Sequence, residues 1–188
     1  MEAGLHYNLD LAPTLADMLG RPPAARWDGR SYSQAILSLT AGDEQVPESG
    51  RQYLVISQCA HVCQRSVRWG PWLYMRTYHC GYHMFPGEML YNVESDPHLQ
   101  NDMAESQPEI CQQARAWLLE WQDKMQATMP EGYTADPMRT VMEEGGPTHA
   151  LKRDLPGYLA RLRATGRAHH AEALEDRYGI PGDAPGRR

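Results

Sequence analysis

At 188 residues, with 41% hydrophobic and 22% charged residues, the chain has the size and composition of one globular domain with room for an appendage, which excludes wholesale disorder and a membrane-embedded polypeptide. A net charge of −6 excludes a general attraction for phosphate backbones, so no nucleic-acid partner is expected. No apolar run approaches the ~18–20 residues of a bilayer span and no basic-then-apolar leader opens the sequence, so no membrane partner and a cytoplasmic location are expected.

Taken in order, Met1–Gly20 predicts a short amphipathic helix. Asp10 is placed to cap it, Pro13 is tolerated in its first turn, and Leu11, Leu15, Met18 and Leu19 form an apolar stripe. Gly20 suits the left-handed position past the helix end and Pro22-Pro23 stop it. The preceding Leu5-His6-Tyr7-Asn8-Leu9 reads as the end of a strand or loop. Asp28-Gly29 is a turn, Tyr32 to Leu39 a brief helix, Thr40 to Gly50 a loop, and Tyr53-Leu54-Val55-Ile56 a buried strand.

Cys59-Ala60-His61-Val62-Cys63 follows. In an extended segment, period two puts Cys59, His61 and Cys63 on one face, where sulfur, imidazole and sulfur could meet a zinc ion. Buried cysteines are more often small hydrophobes, and a structural zinc takes a fourth ligand, so packing is the favoured reading and zinc the alternative. The four cysteines (Cys59, Cys63, Cys80, Cys111) are spaced unlike a secreted disulfide framework, and reduced thiols are expected.

Val67 to Trp121 is the organising stretch. Ser66–Tyr78 alternates as two strands about a Gly70-Pro71 turn, Met89–Val93 adds a strand, and Ser95–His98 is a turn. Pro108–Met125 is the strongest helix, with Ile110, Ala114, Trp117, Leu118, Trp121 and Met125 recurring at three and four. The fold class this predicts is α+β: a small antiparallel sheet of about four strands packed by one long helix, with a helical C-terminal extension. In that extension the predicted helices are a turn near Met138–Glu143, then Leu155–Ala164 and Ala168–Tyr178. Gly145-Gly146-Pro147 reads as a turn, and the adjacent His169 and His170 are expected on different helix faces. The domain reading is 1–50, 51–126 and 127–188.

The densest polar group, Arg76, Tyr78, His79, Tyr82 and His83, lies at a strand end and in the following loop. Cationic and imidazole donors there suit an anionic substrate, whereas the alternative is that they cover the sheet edge. There is no Gly-x-Ser-x-Gly turn, phosphate-cradling loop, dinucleotide fingerprint or HExxH pair.

Several blocks resemble the C-terminal part of the sulfatase family, within the alkaline phosphatase superfamily. They are Asp10-Leu-Ala-Pro-Thr-Leu-Ala-Asp-Met-Leu-Gly20, Gly29-Arg30-Ser31, the VRWGPWLYMR hairpin, and EMLYNVESDPHLQNDMA with its following helix. The tail GGPTHALKRDLPGYLARLRATGR is similar to a bacterial arylsulfatase-like subgroup. This resemblance implies a smaller sheet-and-helix domain that follows a large α/β catalytic domain. A complete member carries formylglycine, made from a (Cys/Ser)-x-(Pro/Ala)-x-Arg motif, and a calcium ion. Neither motif nor calcium ligands carry over: Cys111-Gln-Gln-Ala-Arg115 has Gln113 at the Pro/Ala position, and Ser95-Asp-Pro-His-Leu99 lacks the Arg. In the family the sulfate-holding residues lie upstream of the Asp10 block.

The expectation is therefore a sulfatase-derived C-terminal domain, a sulfuric ester hydrolase fragment without catalytic residues and inactive alone. Its expected partner is the missing catalytic domain, or itself through exposed apolar surface. In a complete enzyme Arg76, His79, Tyr82 and His83 are expected to border the substrate site. The competing readings are a stand-alone interaction module and the small zinc domain.

Overall fold

The computed structural model describes residues 4–133 and 135–180. Six α-helices and one four-stranded sheet are found among them. The strands are β1 (Leu54–Gln58), β2 (Cys63–Trp69), β3 (Trp72–His79) and β4 (Glu88–Asn92), in the spatial order β1-β2-β3-β4. The helices are α1 (Leu11–Met18), α2 (Ser33–Ala41), α3 (Pro108–Ala127), α4 (Pro137–Glu143), α5 (Gly146–Ala164) and α6 (Ala168–Tyr178). None of them is long and apolar enough to cross a membrane. The α+β class is as the patterning predicts. By contact the chain divides into two compact units, Met1–Ile56 with Ser66–Met75 and Met89–Asp123, and Ser57–Arg65 with Arg76–Glu88 and Lys124–Arg188.

The core of the first unit takes one side chain from each strand. Val55, Val67, Tyr74 and Leu90 meet Cys111, Ala114 and Leu118 of α3, all buried. The helical period places 111, 114 and 118 on one stripe, and two of the three are small, so the helix axis can lie close to the sheet. The predicted stripe is thus turned by about one residue. Trp117 and Trp121 pack at the margin of the core rather than at its centre, with Trp117 stacked on Tyr53 at 5.1 Å and edge-on to Trp69 at 5.2 Å. Met125, placed on the stripe by periodicity, is 38% exposed.

The N-terminal helix has the apolar stripe read from its sequence, but that stripe faces outward. Its buried residues are Pro13 and Thr14, whereas Leu11, Leu15 and Leu19 are 51%, 50% and 79% exposed. Hydrogen bonding explains the inversion. Asp10, fully buried, does not cap the helix with its side chain. Its carboxylate instead accepts from the Tyr7 and Arg30 backbone N–H groups at 2.7 Å each and from both terminal nitrogens of Arg51. Thr14 donates from Oγ1 to the Asp10 carbonyl at 2.6 Å and accepts the Tyr32 N–H at 3.1 Å. Buried polar groups need partners, and these partners turn the polar side of α1 inward. A Cβ on Gly29 would stand 2.1 Å from the Leu9 carbonyl oxygen, so only glycine lets these two segments meet. The Leu5 stub makes an antiparallel bridge to Arg51.

After β4 the chain is held by its own acidic and amide side chains. Asn92 Oδ1 accepts from the N–H groups of Glu94 and Ser95 at 3.1 and 3.2 Å, and Asp96 Oδ2 from those of Gln100 and Asn101 at 2.8 Å each. Asp102 Oδ1 accepts from Leu90 and Ala104 at 3.0 and 2.9 Å. Short polar side chains that bond nearby backbone are the ordinary makers of turns.

In the second unit α5 and α6 bury Leu151, Leu155, Leu159, Leu162, Ala171 and Leu174 against one another. Arg163 Nη2 donates to both carboxylate oxygens of Glu175, at 2.6 and 2.7 Å, and so joins the two helices. α5 starts nine residues earlier than its sequence reading, and Gly145-Gly146-Pro147 opens the helix instead of forming a free turn. Pro156 lies inside α5 and removes one helical hydrogen bond, yet the leucine stripe on both sides of it keeps the helix continuous. Arg65, buried, donates to both carboxylate oxygens of Asp136 and to Ser57 Oγ. Asp136 also caps α4 by accepting the Met138 N–H at 2.9 Å.

Candidate functional site

The loop that follows β3 carries the polar group singled out in the sequence, and the second unit holds it firmly. Gly81 has φ of +54°, and a Cβ there would meet the His61 carbonyl oxygen at 2.3 Å, so glycine is required for both reasons. Its N–H donates to His79 Nδ1 at 2.9 Å and its carbonyl accepts the Tyr178 hydroxyl. Arg177 donates to Cys80 Sγ at 2.9 Å and to the His83 carbonyl at 3.2 Å. The last turn of α6 thus fixes the backbone of residues 80–83.

Aromatic rings gather on this loop. Tyr82 lies 5.0 Å from Tyr158, 4.7 Å from His83 and 6.4 Å from His61, and His83 stacks on Phe85 at 5.2 Å. Beside them is a pocket of about 260 Å³ between His83–Phe85, Tyr158 and Leu162 of α5, and Arg167, His170 and Leu174. Burial, and then the nearby charge of His61, push the His83 imidazole below its ordinary pKa, so it is neutral at pH 7 and offers one donor and one acceptor. Arg167 donates from Nε to Thr165 Oγ1 at 3.1 Å. A guanidinium beside apolar walls suits an organic anion with an apolar body.

Of the four residues expected to border a substrate, the structure brings His83 to this pocket and Tyr82 to the aromatic cluster next to it. Arg76 pairs with Glu88 at 3.5 Å and His79 is taken up by the Gly81 N–H; neither lines the pocket. Tyr158, Arg167 and His170 also line the pocket, and no local pattern in the sequence singles them out. The four-residue spacing of Tyr158 to Leu162 and of His170 to Leu174 marks shared helix faces, but which loop those faces meet is a non-local fact. The rings of His169 and His170 lie 4.0 Å apart, contrary to the expectation from helix geometry. They occupy the first turn of α6, where no preceding turn crowds the side chains.

The Cys59–Cys63 segment is not extended. Residues 59–62 turn the chain from β1 into β2, so alternation does not apply. The thiols of Cys59 and Cys63 still meet, at 3.3 Å, and both are free. The His61 ring lies toward Tyr82. Among the described residues no three His, Cys, Asp or Glu side chains form a group that could hold a metal ion. Cys111 is buried against the sheet within α3.

No family model matches the chain, and no curated protein matches it by sequence. Solved structures that it is similar to include BT4656 in complex with its substrate D-glucosamine-2-N,6-O-disulfate, 16% identical with a TM-score of 0.49 over 66% of this chain and 25% of that one. A candidate sulfatase, yidJ of Bacteroides fragilis, is 18% identical with a TM-score of 0.44 over 70% of this chain and 26% of that one. BT33336S-sulf, from work on glycosaminoglycan metabolism by Bacteroides thetaiotaomicron, is 18% identical with a TM-score of 0.42 over 59% and 24%. The chain spans about a quarter of the length of these proteins.

Proposed function

We propose that the chain is a C-terminal, supporting domain of a sulfatase-like sulfuric ester hydrolase, inactive alone. The observation that carries the reading is the exposed apolar face of α1. Leu11, Leu15 and Leu19, at half exposure or more, make a surface that a self-sufficient domain would bury, and they lie in the block whose sequence resembles the sulfatase family.

The chemistry of the blocks agrees with support rather than catalysis. Asp10, Thr14, Asn92, Asp96 and Asp102 all spend their side chains on backbone or on Arg51. Sulfate ester hydrolysis needs an activated nucleophile and an electrophilic clamp on the developing charge, and the sequence holds no formylglycine motif. In a complete enzyme the His83 pocket borders the substrate, with Tyr82 behind it, and the calcium and formylglycine belong to the catalytic domain.

The test is an aryl sulfate assay on the purified chain. No turnover above background is expected; turnover abolished by a chelator would overturn the reading. In a full-length relative, replacing the residue that matches His83 by Ala should alter preference among sulfate esters, and unchanged kinetics across several esters would remove its role at the substrate.

The same face of α1 also suits a second reading, a stand-alone module that self-associates through this surface. Sedimentation separates the two: a concentration-dependent dimer favours the module, and a monomer favours a domain whose natural cover is the catalytic domain.

A further inference from the structure

Antiparallel register across the β1–β2 hairpin brings two thiols face to face. Arg65 Nε donates to Ser57 Oγ at 3.2 Å, and Gln58 Nε2 donates to Gln64 Oε1 at 2.5 Å. The side chains of 57 and 65 and of 58 and 64 thus meet across the hairpin, and the next residues inward are Cys59, just past β1, and Cys63, the first of β2. Their sulfurs stand 3.3 Å apart, both reduced. The two thiols thus face each other across the base of the connecting loop. Bonding needs the sulfurs to close to about 2.05 Å, which side-chain rotation in the connecting loop can supply. Cys59 is partly exposed and Cys63 fully buried, so one thiol can meet a reagent and the other cannot.

We propose that Cys59 and Cys63 form a reversible dithiol/disulfide site that takes small-molecule disulfides such as oxidised glutathione as oxidant. Cys59 attacks as the thiolate, its proton passing to solvent. An S–S bond forms between Cys59 and one half of the reagent, and the other half leaves as a thiolate that is protonated by water. Cys63 then loses its proton to solvent, attacks the Cys59 sulfur and expels the second half as a thiolate. Two cysteine S–H groups are oxidised, and one small disulfide is reduced to two thiols. Burial, and then the hydrogen bond with Cys59, push the Cys63 thiol up to about 12. Burial still acts on Cys63 once Cys59 is capped, so the second step quickens as pH rises and the thiolate fraction grows.

The experiment treats the full chain with oxidised glutathione at several ratios to reduced glutathione and reads intact mass and tryptic peptides. The peptide Gln52–Arg65 should become lighter by two hydrogens, and dithiothreitol should restore it. Cys63→Ala should stop at one glutathione on residue 59, and Cys59→Ser should leave Cys63 unmodified. Each of three outcomes overturns the proposal: a stable glutathione adduct on Cys59 of the unaltered chain without closure, closure through Cys80 or Cys111 instead, or no modification of Cys59 at all. The unaltered chain gives the deciding mass by itself, so misfolding of a variant does not protect the idea.

Discussion

Arg51 grips the buried Asp10 carboxylate with both guanidinium nitrogens, while its guanidinium carbon lies 4.8 Å from the centroid of the Tyr7 ring. The pair ties the residue before α1 to the segment that enters β1, because Tyr7 also accepts the Val55 N–H at 2.5 Å and donates to the Val55 carbonyl at 2.9 Å. Removing one partner leaves a buried charge without compensation. Arg51→Ala should cost about 3–5 kcal/mol, read as a fall in the urea midpoint. A loss within about 0.5 kcal/mol, the range of surface substitutions, would show that Asp10 is solvated and the pair unimportant.

Acid should loosen both units through two carboxyls. Burial pushes Asp10 and Asp136 upward, but hydrogen bonds from Arg51, Arg30 and Tyr7 to the one, and from Arg65 and Met138 to the other, bring both below the ordinary carboxylate value. A depressed folded-state pKa stabilises above the unfolded value, and that stability is lost as pH falls through the folded one. Urea midpoints should change little through these groups from pH 7 to 5 and drop below about pH 4. Asp136→Asn should lower the midpoint at pH 7 and flatten the drop; an equally steep drop in the variant would rule Asp136 out as its source.

On α1, Leu15→Glu should leave stability within about 0.5 kcal/mol, since the side chain is half exposed and removes no core contact. In the self-associating reading, the dimer followed by sedimentation velocity over a range of concentrations should weaken in this variant, and in the supporting-domain reading both chains should sediment as monomers. Destabilisation of about 2 kcal/mol or more, the cost of emptying a leucine core site, would mean that the leucine is buried after all.

His83 should titrate by NMR with a midpoint below the ordinary histidine value of about 6.5, because burial and then His61 oppose its protonation. His61→Ala should raise the midpoint only part of the way, burial being the larger cause. The linked stability is fully present above the unfolded value and declines as pH falls toward the folded one. A His83 midpoint at or above 6.5 would place the ring in solvent and remove it from the pocket wall.

Strong local patterns made much of the fold legible in the chain itself. Alternation and the Gly70-Pro71 turn determine the β2–β3 hairpin, and the three-four recurrence in 108–125 determines α3, because period and turn chemistry are properties of neighbouring residues. Which stripe of α3 is central was decided by the sheet. Tyr74 and Leu90 are fully buried against α3, and the small Cys111 and Ala114 fit beside them where tryptophan cannot.

The site was less legible, for the same reason. His83 and Tyr82 could be chosen from loop position and donor chemistry, but Arg167, His170 and Tyr158 reach the pocket only because α5 and α6 fold back beside the Gly81 loop. Leu11, Leu15 and Leu19 carry the strongest contrast. Their spacing determines an amphipathic helix, yet three partners of the Asp10 carboxylate and the Thr14 hydroxyl, Arg30, Tyr32 and Arg51, lie 18 to 41 residues away. Sequence alone therefore determines that α1 has an apolar face. Tertiary structure decides that this face points outward, because a buried carboxylate must find its hydrogen bonds, whereas exposed leucines forgo only the gain from burial.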